Sequence, residues 1–376
     1  MKKHINKNKG SFGGVDIIKC KYNGCELDVF QDGDLCILHI PTPKKGSQKF
    51  VEINELKNEM IKNQIDSGYL NFKGVKLFEV DFSGLIIKKD VIFTDSFIES
   101  CVNFDDSVIE GDIWFDNVKV KGNVSLERAQ IQGNSSFYGA QVKEHVWFDN
   151  AKITRYAWFE AAQVGGEASF NRVNVGSSLS FKNGEIDGNT SFYGAKIGGD
   201  AWFEGAKIGG DVWFDFADIN GGLSFKNTEF KDLKSQEKAC RKAKTIWEKL
   251  GDREKADYHF YREMASKRLQ KPYYLRWPEL IVQYPFGYGV YPRRLLLTFF
   301  LTFLIFALFF WFLGGILNID ALIEKMRLSF LTIIVPAYGV INAKSGLYGL
   351  LTIIEAVIGA FTWPTFIVTF ARKYMR

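Results

Sequence analysis

The sequence has little proline and no strong excess of either charge. It contains 8 prolines in 376 residues, and its formal net charge is +5 with 24% charged residues. Together with 47% hydrophobic residues, this composition excludes wholesale disorder and a collagen-like chain. A small positive excess without a mapped patch also gives no reason to predict a nucleic-acid partner.

Motifs that carry chemistry are missing as well. We find no nucleophile–base pair, no phosphate-binding loop and no open metal site, and therefore expect no enzymatic activity. An arginine-rich sensor helix and motifs for nucleotides or calcium are also absent from the sequence. Residues 1–14 are polar and lack the apolar core of a secretory signal, which predicts a flexible tail and a reducing compartment.

Phenylalanine, by contrast, is abundant and recurs every eleven residues between positions 70 and 230. The series is Phe82, Phe93, Phe104, Phe115, Leu126, Phe137, Phe148, Phe159, Phe170, Phe181, Phe192, Phe203, Phe214 and Phe225. In many units a small residue follows three positions later and a branched aliphatic residue five positions later. A helix cannot use this pattern, because glycine recurs between the pairs and β-branched residues dominate. The spacing predicts a solenoid of short strands and tight corners.

Two runs, Phe192-Tyr-Gly-Ala195-Lys-Ile197 and Phe203-Glu-Gly-Ala206-Lys-Ile208, resemble the pentapeptide-repeat family. The resemblance implies a right-handed quadrilateral β-helix over residues 70–230, with two eleven-residue units per turn and about seven coils. We expect a linker helix over residues 42–69 to precede it. The rod is either a rigid spacer or a surface that binds a protein partner.

A cysteine module at residues 15–41 has the pattern of a metal site. Cys20, Cys25, Cys36 and His39 place four soft or borderline donors within twenty residues. A closed Cys₃His set suits structural zinc, and so short a segment needs the metal to supply its folding free energy. The alternatives are four unrelated residues or a disulfide, and a reducing compartment disfavours the disulfide.

A basic connector at residues 231–294 carries about twice as many basic as acidic residues. It predicts two helices, Lys234–Leu250, which ends before Gly251, and Arg253–Leu269, which is capped by Asp252. A basic amphipathic stretch beside an apolar segment is suited to lie against anionic lipid. A solvated helical surface is the alternative.

Two apolar stretches, 295–319 and 345–371, are each long enough to cross a bilayer, for which about 20 residues suffice. The first has no charged side chain, and the second has one, Glu355. Basic residues flank their outer ends: Arg293, Arg294, Arg372, Lys373 and Arg376. We therefore expect a two-span protein of the cell membrane with both termini in the cytoplasm.

Residues 321–339, between the spans, are too few for a third span and too apolar for a soluble loop. A re-entrant half-helix followed by an extended turn fits both limits. Ser329-Phe-Leu-Thr332 and Ala337-Tyr338-Gly339, in this order between two spans, resemble the two-transmembrane potassium-channel pore family. The resemblance implies a pore domain at 295–376 and a homotetramer.

The same resemblance assigns an ion filter to Val335, Pro336, Ala337, Tyr338 and Gly339, where the family has T-V-G-Y-G. A valine methyl replaces the filter threonine hydroxyl, and proline fixes φ and removes an N–H group. Potassium selectivity therefore cannot be inherited, and we expect a path for monovalent cations such as K⁺ with altered or relaxed selectivity. The alternative is a non-conducting pore remnant that anchors the rod as a scaffold for a protein partner.

Thr332 on the pore helix and Glu355, Gly359 and Thr362 on the inner helix complete the candidate site residues. An ionisable group within a span is costly and by default functional. Glu355 is predicted either to line a cavity and concentrate cations or to brace Lys325 or Arg327. Gly359 occupies a plausible hinge position.

Overall fold

The computed structural model describes residues 18–31, 33–313, 319–336 and 346–374. These residues belong to two compact units. The first unit contains the chain up to Gly210 together with Phe214–Gly221 and Lys226–Glu229. The second contains Asp211–Trp213, Gly222–Phe225 and the chain from Phe230 onward.

The repeat segment consists of short strands of two residues each. In chain order they are β1 (Lys76–Leu77), β2 (Val80–Asp81), β3 (Ile86–Ile87), β4 (Val91–Ile92), β5 (Phe97–Ile98), β6 (Val102–Asn103), β7 (Val108–Ile109), β8 (Ile113–Trp114), β9 (Lys119–Val120), β10 (Val124–Ser125), β11 (Gln130–Ile131), β12 (Ser135–Ser136), β13 (Gln141–Val142), β14 (Val146–Trp147), β15 (Lys152–Ile153), β16 (Ala157–Trp158), β17 (Gln163–Val164), β18 (Ala168–Ser169), β19 (Asn174–Val175), β20 (Leu179–Ser180), β21 (Glu185–Ile186), β22 (Thr190–Ser191), β23 (Lys196–Ile197), β24 (Ala201–Trp202), β25 (Lys207–Ile208), β26 (Val212–Trp213), β27 (Asp218–Ile219), β28 (Leu223–Ser224) and β29 (Glu229–Phe230).

Strands four apart in the chain pair in parallel, so four parallel sheets surround one core. The register is 22 residues: Val124 pairs with Val146, and Ile131 pairs with Ile153. Two eleven-residue units therefore make one turn, and the segment is a β-solenoid of about seven turns. This confirms the period predicted from the phenylalanine spacing and the four faces that the resemblance to pentapeptide repeats implies.

One corner in each eleven-residue unit is a tight turn with one residue of positive φ. In one coil the Ala140 N–H donates to the Phe137 carbonyl at 3.1 Å, and Gly139 between them has φ +63°. A type II turn requires this left-handed conformation at its third residue, which glycine and asparagine tolerate best. The equivalent position in many coils is not glycine but still has φ between 54° and 59°, as at Asn117, Asn150, Asn183 and Phe216.

Phenylalanine rings fill the solenoid core in two columns. Phe115, Phe137 and Phe159 stack face to face, with ring centroids 5.0 and 5.1 Å apart. Phe148 of the other column meets Phe159 edge to face at 5.4 Å. Leu126 takes one place in that second column and is also fully buried. Stacking within a column and edge contacts between columns are both favourable aromatic geometries.

The chain before the solenoid, which also lies in the first unit, contains a small bridge between Lys19 and Asp28 and the helix α1 (Gln48–Asp66). The Ser47 hydroxyl caps α1 by accepting from the Phe50 N–H at 3.1 Å. We call the described residues of 18–66 the N-terminal cap. The linker helix predicted within 42–69 is therefore present.

In the second unit, α2 (Leu233–Lys249) and α3 (Arg253–Gln270) pack against each other. Gly251 has φ +78°, and the Asp252 carboxylate accepts from the Lys255 N–H, as the capping pattern predicts. Helices α2 and α3 also form hydrogen bonds with the backbone of β28 and of Phe225, the residue that follows it. The Trp247 indole donates to the Leu223 carbonyl at 2.6 Å, and His259 Nε2 accepts from the Phe225 N–H at 3.0 Å.

Four further helices complete the described part of the second unit. They are α4 (Tyr273–Gln283), α5 (Pro292–Leu313), α6 (Ile319–Ile334) and α7 (Leu347–Tyr374), with a 3-10 turn at Gly287–Gly289. By length and composition, α5 and Leu347–Ala371 of α7 are able to cross a membrane. The two predicted spans therefore coincide with two long apolar helices.

Candidate functional site

Helices α5 and α7 pack antiparallel. Phe310 on α5 meets Tyr348 near the start of α7, with ring centroids 4.8 Å apart. Phe299, nearer the start of α5, meets Trp363 in the second half of α7 at 5.6 Å. The start of α5 and the end of α7, which carry the basic flanks, therefore lie toward the same end of this helix pair.

Helix α6 runs parallel to α7. The Ser329 hydroxyl bonds the Glu355 carboxylate, and one turn further along both helices the Ile333 backbone packs against Gly359. Gly359 is near the middle of the 28-residue helix α7. A side chain there would place its Cβ 2.8 Å from the Ile333 Cα, so the glycine permits this close approach. Helix α6 therefore ends beside the middle of α7 rather than beside either of its ends.

Glu355 is fully buried between these helices. One carboxylate oxygen bonds Ser329, whose hydroxyl also lies 3.0 Å from the Phe303 carbonyl on α5. The other oxygen has no hydrogen-bond partner among the described residues. Lys325, one of the two predicted partners, lies beside Glu324 instead, at 4.0 Å. Ser329 of α6 thus connects Glu355 of α7 with α5 within one copy of the chain.

The remaining predicted residues of the membrane segment separate into two groups. Thr332 and Thr362 are buried, and their hydroxyls donate to carbonyls of their own helices, Leu328 and Ile358, both at 2.9 Å. Of the predicted filter, Val335 is about half exposed and Pro336 is partly buried at the end of α6. The other three predicted filter residues, Ala337, Tyr338 and Gly339, lie outside the described residues.

The four predicted metal ligands come together in the N-terminal cap. The Cys20, Cys25 and Cys36 sulfurs and one nitrogen of His39 all lie within 4.8 Å of one another. The Cys25 and Cys36 sulfurs are 3.8 Å apart, far beyond the roughly 2 Å of a disulfide, and all five cysteines are free thiols. These four residues could therefore hold a metal ion.

His39 is held in one orientation. Its Nε2 lies 2.9 Å from the Lys73 carbonyl, which can only accept, so Nε2 carries the hydrogen and Nδ1 faces the sulfurs. The Tyr22 ring stacks on the imidazole with centroids 4.1 Å apart. Burial lowers the pKa of the His39 imidazole and raises the pKa of the Cys36 thiol to about 12. A neutral imidazole with a free Nδ1 is the form that binds metals.

Sequence reasoning missed the buried Lys57 and the contact between Ser329 and Glu355. Lys57 on α1 is fully buried, and its ammonium group donates to the Ile40 carbonyl at 2.7 Å and to the Lys76 carbonyl. Burial lowers its pKa to about 8. Its spacing from Ile53 and Ile61, four residues on each side, placed it on the apolar face and could have revealed it. No sequence signal linked Ser329 to Glu355, which is 26 residues away.

The solenoid also has an open groove on the face formed by β9, β13, β17 and β21. The groove encloses about 600 Å³, and its lining includes Lys119, Lys121, Lys143, Glu185 and Asp187. No catalytic arrangement is visible among these lining residues. The groove is a polar surface on a rigid support.

Comparison with known proteins identifies the repeat. Residues 181–229 match the family model for pentapeptide repeats (9 copies). This segment is similar to pentapeptide repeats. The match and the four-sheet β-solenoid agree with the pattern read from the phenylalanine spacing. No curated protein and no solved structure gives a significant match to the chain.

Proposed function

We propose that this protein is a homotetrameric, potassium-channel-like cation channel. In this proposal α5 and α7 cross the cell membrane with both termini in the cytoplasm. Helix α6 is a re-entrant pore helix, and residues 335–339 form the ion filter. The observation that carries the proposal is the end of α6 beside the middle of α7.

The position of the end of α6 constrains the proposed connection between α6 and α7. With a rise of 1.5 Å per residue, Gly359 lies about 18 Å from the start of α7. The chain leaves α6 at this depth, and the next described residue is Gly346, immediately before α7 begins. The proposed extended turn would be tolerated at such a depth only where it is buried in protein or lines a water-filled path. Copies of the chain around a common axis would supply that path.

The exposed surfaces of the helices favour a membrane and an assembly. Large apolar side chains are exposed along α5 and α7, among them Leu297, Phe312, Phe361 and Val368. Tyr273, Tyr274 and Trp277 are exposed on α4, in the basic connector before α5. Aromatic side chains at the interface and basic residues beside a span suit contact with anionic lipid. Lipid and neighbouring subunits would share these surfaces.

The burial of Glu355 supports the bracing role, one of its two predicted roles. A side chain that lines a shared axis would be exposed in a single copy, but Glu355 is fully buried within one copy. We therefore propose the bracing role, with Ser329 rather than Lys325 or Arg327 as its partner. Glu355 would hold the pore helix at the depth that the filter requires.

The test is cation flux through the full-length protein reconstituted in liposomes. We expect wild-type protein to conduct K⁺, Na⁺ and Rb⁺ with little discrimination. Val335→Thr restores the hydroxyl that the family filter has, and we expect it to raise the ratio of K⁺ to Na⁺ flux at least several-fold. The control is Ile323→Thr on the exposed surface of the same helix, which should leave the ratio unchanged.

Two results would overturn the channel. One is a folded protein that is monomeric when its mass is measured in detergent. The other is a folded tetramer that passes none of the three cations.

A second function, a membrane-anchored scaffold, is favoured by the groove lined by Lys119, Lys121 and Lys143. Three lysines beside one groove suit an acidic segment of a protein partner. If the protein is a scaffold, full-length protein that passes no cations should still bind a protein partner. The Lys143→Glu variant should lose this binding. Lys152→Glu, on the opposite sheet, should not.

A further inference from the structure

We propose that Cys20, Cys25, Cys36 and His39 bind one structural Zn²⁺, and that this ion fastens the N-terminal cap to the first coil of the solenoid. Both the four ligands and the first coil belong to the first unit, so their contacts are part of one compact body. The inference is independent of ion conduction.

The four ligand atoms lie within 4.8 Å of one another, and two of the distances between them match those of a tetrahedral zinc ion, while the Cys36 sulfur is closer to His39 Nδ1, at 3.0 Å. Sulfur ligands about 2.3 Å from such an ion lie about 3.8 Å from one another. The Cys25 and Cys36 sulfurs are 3.8 Å apart, and the Cys20 sulfur is 3.6 Å from His39 Nδ1. Three thiolates and one imidazole are a soft donor set that selects zinc over magnesium or calcium. Four protein ligands also leave no open position for a substrate, which is the mark of a structural site.

The surroundings of the ligands are arranged for metal binding. The Cys36 N–H donates to the Cys20 sulfur at 3.2 Å, an interaction that stabilises a thiolate. The Lys73 carbonyl fixes the histidine tautomer that leaves Nδ1 free. Metal-bound histidines commonly donate their other N–H to a carbonyl in this way.

The same residues attach the cap to the solenoid. His39 binds the carbonyl of Lys73, and the neighbouring Leu38 carbonyl accepts from the Lys76 N–H of β1 at 2.8 Å. The Tyr22 ring, stacked on His39, lies so close to Gly74 that a side chain there would collide with it. The exposed edge of a terminal strand invites pairing with other chains, so covering it protects the solenoid end.

Apart from the metal site, residues 18–41 of the cap are held by a small apolar core and by the Lys57 ammonium group of α1, which bonds the Ile40 and Lys76 carbonyls. In residues 18–41 the buried apolar side chains are few: Cys20, Cys36, Ile37 and Leu38. A segment with so small a core gains its folding free energy from the metal. Loss of zinc should therefore release Leu38 and His39 from the first coil while the phenylalanine core of the later coils stays intact.

The experiment measures zinc content and amide hydrogen exchange on the full-length protein in detergent. Wild type should carry about one zinc per chain by elemental mass spectrometry, and Cys36→Ser should carry almost none. The control is Cys101→Ser, which removes an exposed cysteine outside the cluster and should keep the zinc. A strong chelator applied to wild type should speed exchange of the Lys76 amide at least tenfold, and added Zn²⁺ should reverse the change.

The His39→Cys variant tests zinc binding separately from the attachment of the cap to the first coil. This variant keeps four soft ligands, so it should retain zinc, but it loses the bond to the Lys73 carbonyl. Wild-type protein that takes up no zinc would contradict the proposed zinc site. Cys36→Ser protein that carries as much zinc as wild type would contradict it too. Protein whose Lys76 amide exchanges equally with and without zinc would overturn the fastening role.

Discussion

The solenoid and helices α5, α6 and α7 have opposite arrangements of polar and apolar side chains. In the solenoid the phenylalanines of the eleven-residue series are buried in columns, and the charged residues lie outside. In α5, α6 and α7 large apolar side chains are exposed, whereas Ser329, Thr332, Glu355 and Thr362 are buried. Water drives the burial of apolar surface in the solenoid, whereas the exposed apolar surface of the helices suits an apolar environment.

This difference also separates two sources of stability. The solenoid repeats one aromatic contact every 22 residues. Its free energy of unfolding is therefore close to the sum of the contributions of the individual coils. The helices depend on single contacts that occur once, such as the approach of Ile333 to Gly359. Substitutions should therefore cost most in the aromatic core and less at the helix contacts.

The largest effect is expected for Phe148→Ala. Phe148 is fully buried and stacks on Phe170 with centroids 5.2 Å apart. Removing the ring leaves a cavity and should cost about 3–5 kcal/mol in the free energy of unfolding. Urea unfolding of the detergent-solubilised full chain, followed by circular dichroism, measures this cost.

The matched control for that experiment is Phe216→Ala, because Phe216 is 80% exposed. This substitution removes the same atoms from a site in contact with water, so the free energy of unfolding should change by less than about 1 kcal/mol. Equal costs at the two positions would contradict the view that the core columns hold the solenoid together.

A smaller effect is expected for Gly359→Ala in the membrane helices. The added methyl collides with the Ile333 backbone, so α6 must move away from α7, at a cost of about 1–3 kcal/mol. Thermal unfolding in detergent measures this cost. Ala360→Val adds volume at the next, exposed position and should change stability little. A stable Gly359→Ala protein would mean that the close approach is unimportant.

The smallest effect is expected for Phe216→Asn, which should stabilise the solenoid. Phe216 has φ +58°, a conformation in which an ordinary side chain is strained, whereas asparagine occupies the same turn position at Asn150 and Asn183. We expect a gain of about 0.5–1 kcal/mol. Phe216→Leu keeps the strain and should give no gain under the same urea titration. A loss of stability in Phe216→Asn would show that the contact with Tyr193 outweighs the strain.

Much of the solenoid could be predicted from the sequence, because its contacts are local and repeated. A phenylalanine every eleven residues indicated the period and the inward face, and the resemblance to pentapeptide repeats implied the register of two units per turn. The clustering of the candidate metal ligands could be predicted for a similar reason, since Cys20 to His39 span a short segment. Asp252 and Gly251 likewise marked the boundary between α2 and α3.

Contacts between distant residues could not be predicted. The partner of Glu355 was expected among the charged residues of α6, but Ser329 binds it. Gly359 was expected to act as a hinge, and the structure gives it a packing contact with Ile333 within a continuous helix. The hydrophobic pattern of a helix shows which face is apolar, but not which neighbour that face meets.

The sequence by itself determined the repeat, its period, the four candidate metal ligands and the two apolar helices. Each of these features follows from the spacing of residues along the chain, because covalent geometry limits the distances between residues that are close in sequence. The tertiary structure alone decided that α6 runs parallel to α7 and ends at its middle, and that His39 reaches the Lys73 carbonyl. Those arrangements depend on packing between segments far apart in sequence, and packing is settled only when side-chain shapes meet in three dimensions.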